Sequence, residues 1–230
     1  MTTRRALIPL VVLLAGSWTL NACARAPEPA AAAAAAALSK WQEGTNYKLA
    51  PAPQPPGVAA GKVEVTEVFW YGCGHCYALD PALESWNAKK PPYVEFVRVP
   101  VIWGPVQRQH AKLYYTIQAL NRADLHTKVF DAIHQQGLPL SARDEVEARA
   151  MQLVFLSSQG VNESRFNSAY DSMSVASNML RAEEFTKKFA VANVPLMVVN
   201  GKYITSVSEA GSEAKLLALV NDLAASEKAR

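Results

Sequence analysis

The chain has 230 residues, half of them apolar, with 23 Lys and Arg, 20 Asp and Glu, and three cysteines. That length suffices for one domain with a substantial hydrophobic core. Three cysteines form at most one bridge, which excludes a multi-disulfide scaffold, and a net charge of +3 is too small to argue for a nucleic-acid partner.

The N-terminus reads as an export signal. Arg4 and Arg5 precede an apolar run from Ala6 to Gly16, shorter than the roughly 20 residues of a spanning helix and closed by Ser17, Thr19 and Asn21, as in a cleaved leader. Residues 1–22 are thus expected to be a signal peptide. Removing Arg4 and Arg5 leaves 21 basic residues against 20 acidic ones. Leu20-Asn21-Ala22-Cys23 resembles the lipobox of bacterial lipoproteins, which implies lipidation of Cys23. Ala24 after it implies the outer membrane if the host is Gram-negative. The simpler alternative is ordinary cleavage within Ala22-Cys23-Ala24. An exported chain meets an environment that permits disulfides. Residues 23–40 are then anchor and Ala/Pro tether, because a run of eight alanines alone forms only a marginal helix, and folded structure is expected from roughly residue 40–60.

Val63 to Tyr71 predicts a buried strand. A helix from about Cys73 to Lys89 follows, with Leu79, Leu83 and Trp86 on one face and a kink at Pro81. Tyr93 to Val101 predicts a second strand and hence a parallel, right-handed βαβ unit. From Val106 to Phe189 helical periodicity dominates, broken by turn signals at Asn121, Gly137-Leu138-Pro139 and Gly160, with a capped helix start in Ser141-Ala142-Arg143-Asp144. A strand returns at Pro195 to Val199, Asn200-Gly201 predicts a hairpin into Lys202-Tyr203-Ile204, and Glu213 to Ala225 predicts a closing helix. The order is βαβ, a helical insertion over 106–184, then ββα, so the parts 41–105 and 185–230 form one α/β domain.

Cys73-Gly74-His75-Cys76 lies where the first strand meets its helix. The first turn of a helix presents unpaired N–H groups and positive potential, which stabilises a thiolate on Cys73. Two intervening residues let Cys76 close a disulfide with it. A depressed thiol pKa makes Cys73 both a nucleophile and a good leaving group, and His75 adds a donor or a positive charge beside it. A zinc site requires four ligands, and only Cys73, Cys76 and His75 are at hand. A structural disulfide closing so small a loop would stabilise little. Redox exchange is the expected chemistry, with no cofactor beyond the protein's own sulfurs.

These residues resemble the thioredoxin superfamily: CGHC after a strand, Pro81 in the following helix, and Val194-Pro195 before a late strand. Glu43-Gly44 with Tyr47, and Val194 to Tyr203, are similar to DsbA-type oxidoreductases. The resemblance covers about residues 40–225. It implies a thioredoxin-like fold with an all-helical insertion, a cis Pro195, and a Val194 backbone that pairs with substrate. It also implies a buried acid at Glu67 that assists proton movement, for which Arg98 is a candidate charge partner. The simpler reading of Glu67 is a solvent-facing strand residue.

The partners implied are reduced or unfolded secreted proteins, a quinone-linked membrane reoxidase of the DsbB kind, and the membrane through a lipid anchor. A periplasmic monomer that introduces disulfides is expected. Gly74 stands where the best-known members carry Pro, which keeps a reductase or isomerase open. A non-catalytic, chaperone-like lipoprotein is the alternative of a different class. His110, His126 and His134 are expected to be surface or capping residues.

Overall fold

A computed structural model describes residues 29–229. The expected signal peptide and Cys23 lie outside the described residues. The described chain runs α1 (Pro29–Leu38), β1 (Lys48–Leu49), β2 (Val63–Phe69), α2 (Gly74–Asn87), β3 (Val94–Pro100), α3 (Pro105–Ala119), α4 (Leu125–His134), α5 (Glu145–Ser158), α6 (Glu163–Tyr170), α7 (Met173–Lys188), β4 (Leu196–Val199), β5 (Tyr203–Thr205), α8 (Val207–Ala210) and α9 (Glu213–Lys228).

The five strands form one mixed sheet in the order β1-β5-β4-β2-β3. The βαβ unit is parallel, with Val65 opposite Phe96 and Glu67 opposite Arg98. β4 runs antiparallel to β2, so chain from beyond the helical segment pairs with the strand that carries the CxxC. Asn200 and Gly201 adopt positive φ of 52° and 63°, the turn whose twist suits a two-residue hairpin.

Because side chains alternate along a strand, β2 feeds two cores. Val63 and Val65 join Met197, Val199, Leu79, Leu83, Leu219 and Leu223 under α2 and α9. Val68 joins Leu196, Val198, Phe189 and Val191 on the opposite face. Phe69 and Tyr71, at the end of β2, belong to a third cluster that reaches through Leu113, Ile117, Phe130 and Leu156 of the helical segment. Each such buried side chain contributes about 1.5–3 kcal/mol, so the insertion is fused to the sheet at the strand end that bears the cysteines.

Two expectations are corrected. The alanine segment is not a free tether: α1 is helical and lies against α9, with Ala34 buried and Leu38 packed on the core beneath α9. Tertiary contact supplies what an isolated alanine helix lacks. Folded structure therefore starts before residue 40. The helical segment spans 105–188, because α7 continues to Lys188. The capped helix start expected in Ser141-Ala142-Arg143-Asp144 is found there, with Asp144 as the cap, its side chain accepting from the Glu147 amide.

Candidate active site

Cys73 is the N-cap of α2, with extended φ and ψ of −90° and 113°. Its sulfur accepts a hydrogen bond from the Cys76 amide at 3.3 Å and faces the Val194 carbonyl at 3.5 Å. The Val194-Pro195 bond is cis. Both cysteines are thiols in this structure. Cys73 is partly accessible and Cys76 is buried.

The two sulfurs differ electrostatically. A hydrogen bond from the Cys76 thiol, the first-turn amides of Cys76 and His75, and the electrostatic effect of His75 bring Cys73 down to about 6, although partial burial opposes them. Burial pushes Cys76 far up, and its hydrogen bond to Cys73 adds to that. One thiolate and one thiol is therefore the ground state of the reduced pair at neutral pH.

Beneath the cysteines, on the α2 side of the sheet, lies a buried charge cluster. Glu67 is 1% exposed and accepts from Arg98 Nε at 2.8 Å. Arg98 also donates to Asp80 at 3.1 Å and meets Glu84 at 2.8 Å. Burial pushes Glu67 up to about 7 against the opposing charge of Arg98. Asp80 is tied further to Thr127 at 2.8 Å; burial would raise it, but His126, Arg98 and Thr127 together hold it below the usual range.

Beside the cysteines, a groove of about 420 Å³ is lined by His75, Ala78, Val194, Pro195, Ser206 and Glu213, among others.

No family model matches the chain. DsbA of Pseudomonas aeruginosa, a thiol:disulfide interchange protein, is 35% identical over 187 residues, which cover 81% of this chain and 85% of that protein. The chain belongs to the DsbA family. The Burkholderia cepacia DsbA is 38% identical over 163 residues, covering 70% of this chain and 74% of its own. A crystallised variant of Pseudomonas aeruginosa DsbA superposes with a TM-score of 0.77 at 34% identity, covering 83% of this chain and 100% of that one. DsbA from Xylella fastidiosa gives 0.73 at 29% identity, covering 81% and 97%. The protein is thus a thiol:disulfide oxidoreductase with the thioredoxin-like DsbA fold and its helical insertion.

Within this DsbA scaffold, Cys73, His75, Cys76, Val194 and Pro195 come together, and Glu67 is buried and paired with Arg98. The histidines depart from expectation. His110 and His126 are each only 3% exposed, and all three bond to residues just before the CxxC. For two of them a faint signal was present: His126, Phe130 and His134 recur every four residues, and Phe130 is fully buried, so both histidines sit on the apolar stripe of α4.

Proposed function

We propose that this DsbA-family enzyme introduces disulfides into exported proteins, with Cys73 as the attacked sulfur. The observation that carries this reading is the asymmetry of the pair: Cys73 is held near 6 at a helix N-terminus and Cys76 is buried and strongly raised.

In the oxidised enzyme a substrate thiolate attacks Cys73 Sγ. The new substrate–Cys73 bond forms as the Cys73–Cys76 bond breaks, and Cys76 leaves with the electron pair. Its raised pKa means that it takes up a proton at once. Glu67, titrating near neutrality beneath the pair, is proposed to exchange that proton with solvent. A second substrate thiolate then attacks the substrate sulfur of the mixed disulfide and expels Cys73 as a thiolate. The substrate loses two electrons and two protons; the enzyme gains both electrons and keeps one proton on Cys76 at neutral pH. A low-pKa thiolate is the better leaving group, so the stabilisation of Cys73 drives electrons toward the enzyme. His75 contributes to that stabilisation. Val194 and Pro195, on the wall of the groove, are proposed to bind extended substrate, with the Val194 carbonyl aligning the chain beside Cys73.

A quinone-linked membrane protein of the DsbB kind is proposed to reoxidise the pair. The proposed site of action is the periplasm, after removal of residues 1–22 and acylation of Cys23, with the outer membrane as destination. The residues supporting this are Arg4, Arg5, the apolar run and Leu20-Asn21-Ala22-Cys23.

Equilibration of the enzyme with glutathione tests the direction of electron flow. A potential well above that of thioredoxin, roughly −270 mV, supports the oxidase, and one at or below it assigns a reductase. Cys73→Ser should abolish peptide oxidation; a wild type that oxidises no peptide, with substrate holding unchanged in Cys73→Ser, would favour a chaperone-like role. Labelling with radioactive palmitate, lost in Cys23→Ser, tests the anchor.

A further inference from the structure

Three histidines of the helical segment converge on Trp70 and Tyr71, the two residues that lead into the Gly72-Cys73 turn. His110 Nδ1 accepts from the Trp70 indole N–H at 2.9 Å, and its Nε2 meets the Pro139 carbonyl at 2.8 Å. A carbonyl only accepts, so Nε2 carries the hydrogen and the ring is neutral. Burial, against the Pro139 bond, lowers His110 to about 4, which keeps that state throughout the physiological range. His126 Nδ1 meets the Tyr71 hydroxyl at 2.8 Å. His134 Nε2 donates to the Tyr71 carbonyl at 2.8 Å, and its ring stacks on Tyr77 with centroids 4.8 Å apart and planes 6° apart.

These contacts bracket Cys73. The Trp70 carbonyl accepts from the Cys73 amide at 2.9 Å, closing the turn, and the Tyr77 amide donates to the Cys73 carbonyl at 3.0 Å. The Trp70 indole covers Gly72 so closely that a Cβ there would lie 2.4 Å from the ring. His110 thus fixes the indole that roofs the turn, and His134 grips the turn before Cys73 and the aromatic ring four residues after it.

With Cys73 as the nucleophile proposed above, we infer that His110 and His134 are positioning residues that hold its sulfur over the first-turn amides of α2. The 3.3 Å contact of Sγ with the Cys76 amide weakens steeply with distance and angle, so a slackened turn raises the cost of the thiolate. The insertion then acts on the reactivity of the site as well as covering it.

The test is the pH profile of iodoacetamide alkylation of Cys73 in the reduced enzyme, with the thermal midpoint recorded in parallel. The amide nitrogen of Gln reproduces Nε2, whereas Asn is one methylene too short to reach the Tyr71 carbonyl. His134→Asn should slow alkylation at pH 6 about threefold to tenfold and move the profile to higher pH, and His134→Gln should stay within about twofold of the wild type. Superimposable Asn and Gln profiles overturn the inference, whatever the thermal midpoints. Should His134→Asn not fold, His110→Asn, which keeps an acceptor for the indole, is compared with His110→Leu, which does not, under the same criterion. A wild-type profile centred near 8.5, as for a free thiol, would instead sink the reading of Cys73 itself. One centred near 6 and unmoved by the substitutions sinks only the role of the histidines.

Discussion

Glu67 and Arg98 face one another across the parallel β2–β3 ladder, and Arg98 Nε donates to the Glu67 carboxylate at 2.8 Å. The same guanidinium serves Asp80 and Glu84, so one cation is shared among three acids. Burial outweighs that share and leaves Glu67 at about 7, above the 4.3 of an unfolded Glu.

The sign of the pH dependence follows. A carboxyl whose folded value is raised contributes fully below the unfolded value, and the contribution is lost as pH rises through the folded one. Glu67→Gln should therefore gain stability relative to the wild type between pH 5 and pH 8, by on the order of 2 kcal/mol. Arg98 keeps two partners in that variant, so no cation is orphaned. Urea unfolding of both proteins at four pH values measures the difference; parallel curves would show that Glu67 does not titrate in this window.

Cys73 gives the opposite slope. Its folded value near 6 lies below the roughly 8.5 of a free thiol, so stabilisation of the reduced form is complete above the unfolded value and disappears as pH falls through 6. Reduction by glutathione then releases one proton between those limits. The equilibrium constant should favour reduced enzyme about tenfold more per pH unit from 6 to 8 and level off below 6. Quenched alkylation of glutathione-buffered samples reads this directly, and a flat response across pH 6–8 contradicts it.

Gly72→Ala forces a methyl group against the Trp70 indole, which His110 prevents from swinging aside. Overpacking of this kind costs about 1–3 kcal/mol. A fall in thermal midpoint is expected, and an unchanged midpoint would mean that the indole moves freely.

Gly201→Ala meets two obstacles. The residue has φ of +63°, and a Cβ would fall 2.0 Å from the Gln54 carbonyl oxygen, in the segment whose amide donates to the Gly201 carbonyl at 3.0 Å. Backbone cannot retreat as a side chain does, so a loss above about 1 kcal/mol is expected in chemical denaturation.

The βαβ unit and the hairpin were legible because their signals are local: apolar runs of strand length, and Asn200-Gly201 in the one turn that suits them. β1 was not, since Lys48 and Leu49 are a strand only by pairing with Ile204 and Tyr203. α1 was missed because eight alanines say nothing of a partner, and its helicity depends on α9. At the site, the CxxC announces itself by spacing, and Glu67 stands out as a charge among apolar strand neighbours. Asp80 and His110 carry no such mark, and His126 and His134 only the faint spacing on α4, because their roles come from contacts with residues 18 to 63 positions away.

Cys73 and the Val194 carbonyl that faces it are separated by 121 positions in the chain. Ribosomes deliver a polypeptide from its amino end, so both sulfurs emerge long before the opposing wall exists. Only when β4 slots in beside β2, after six intervening helices have been made, is the reactive centre whole. With the substrate-aligning role proposed for Val194, the nascent enzyme is inert until nearly finished, and a truncated product would carry the cysteines without the wall that faces them.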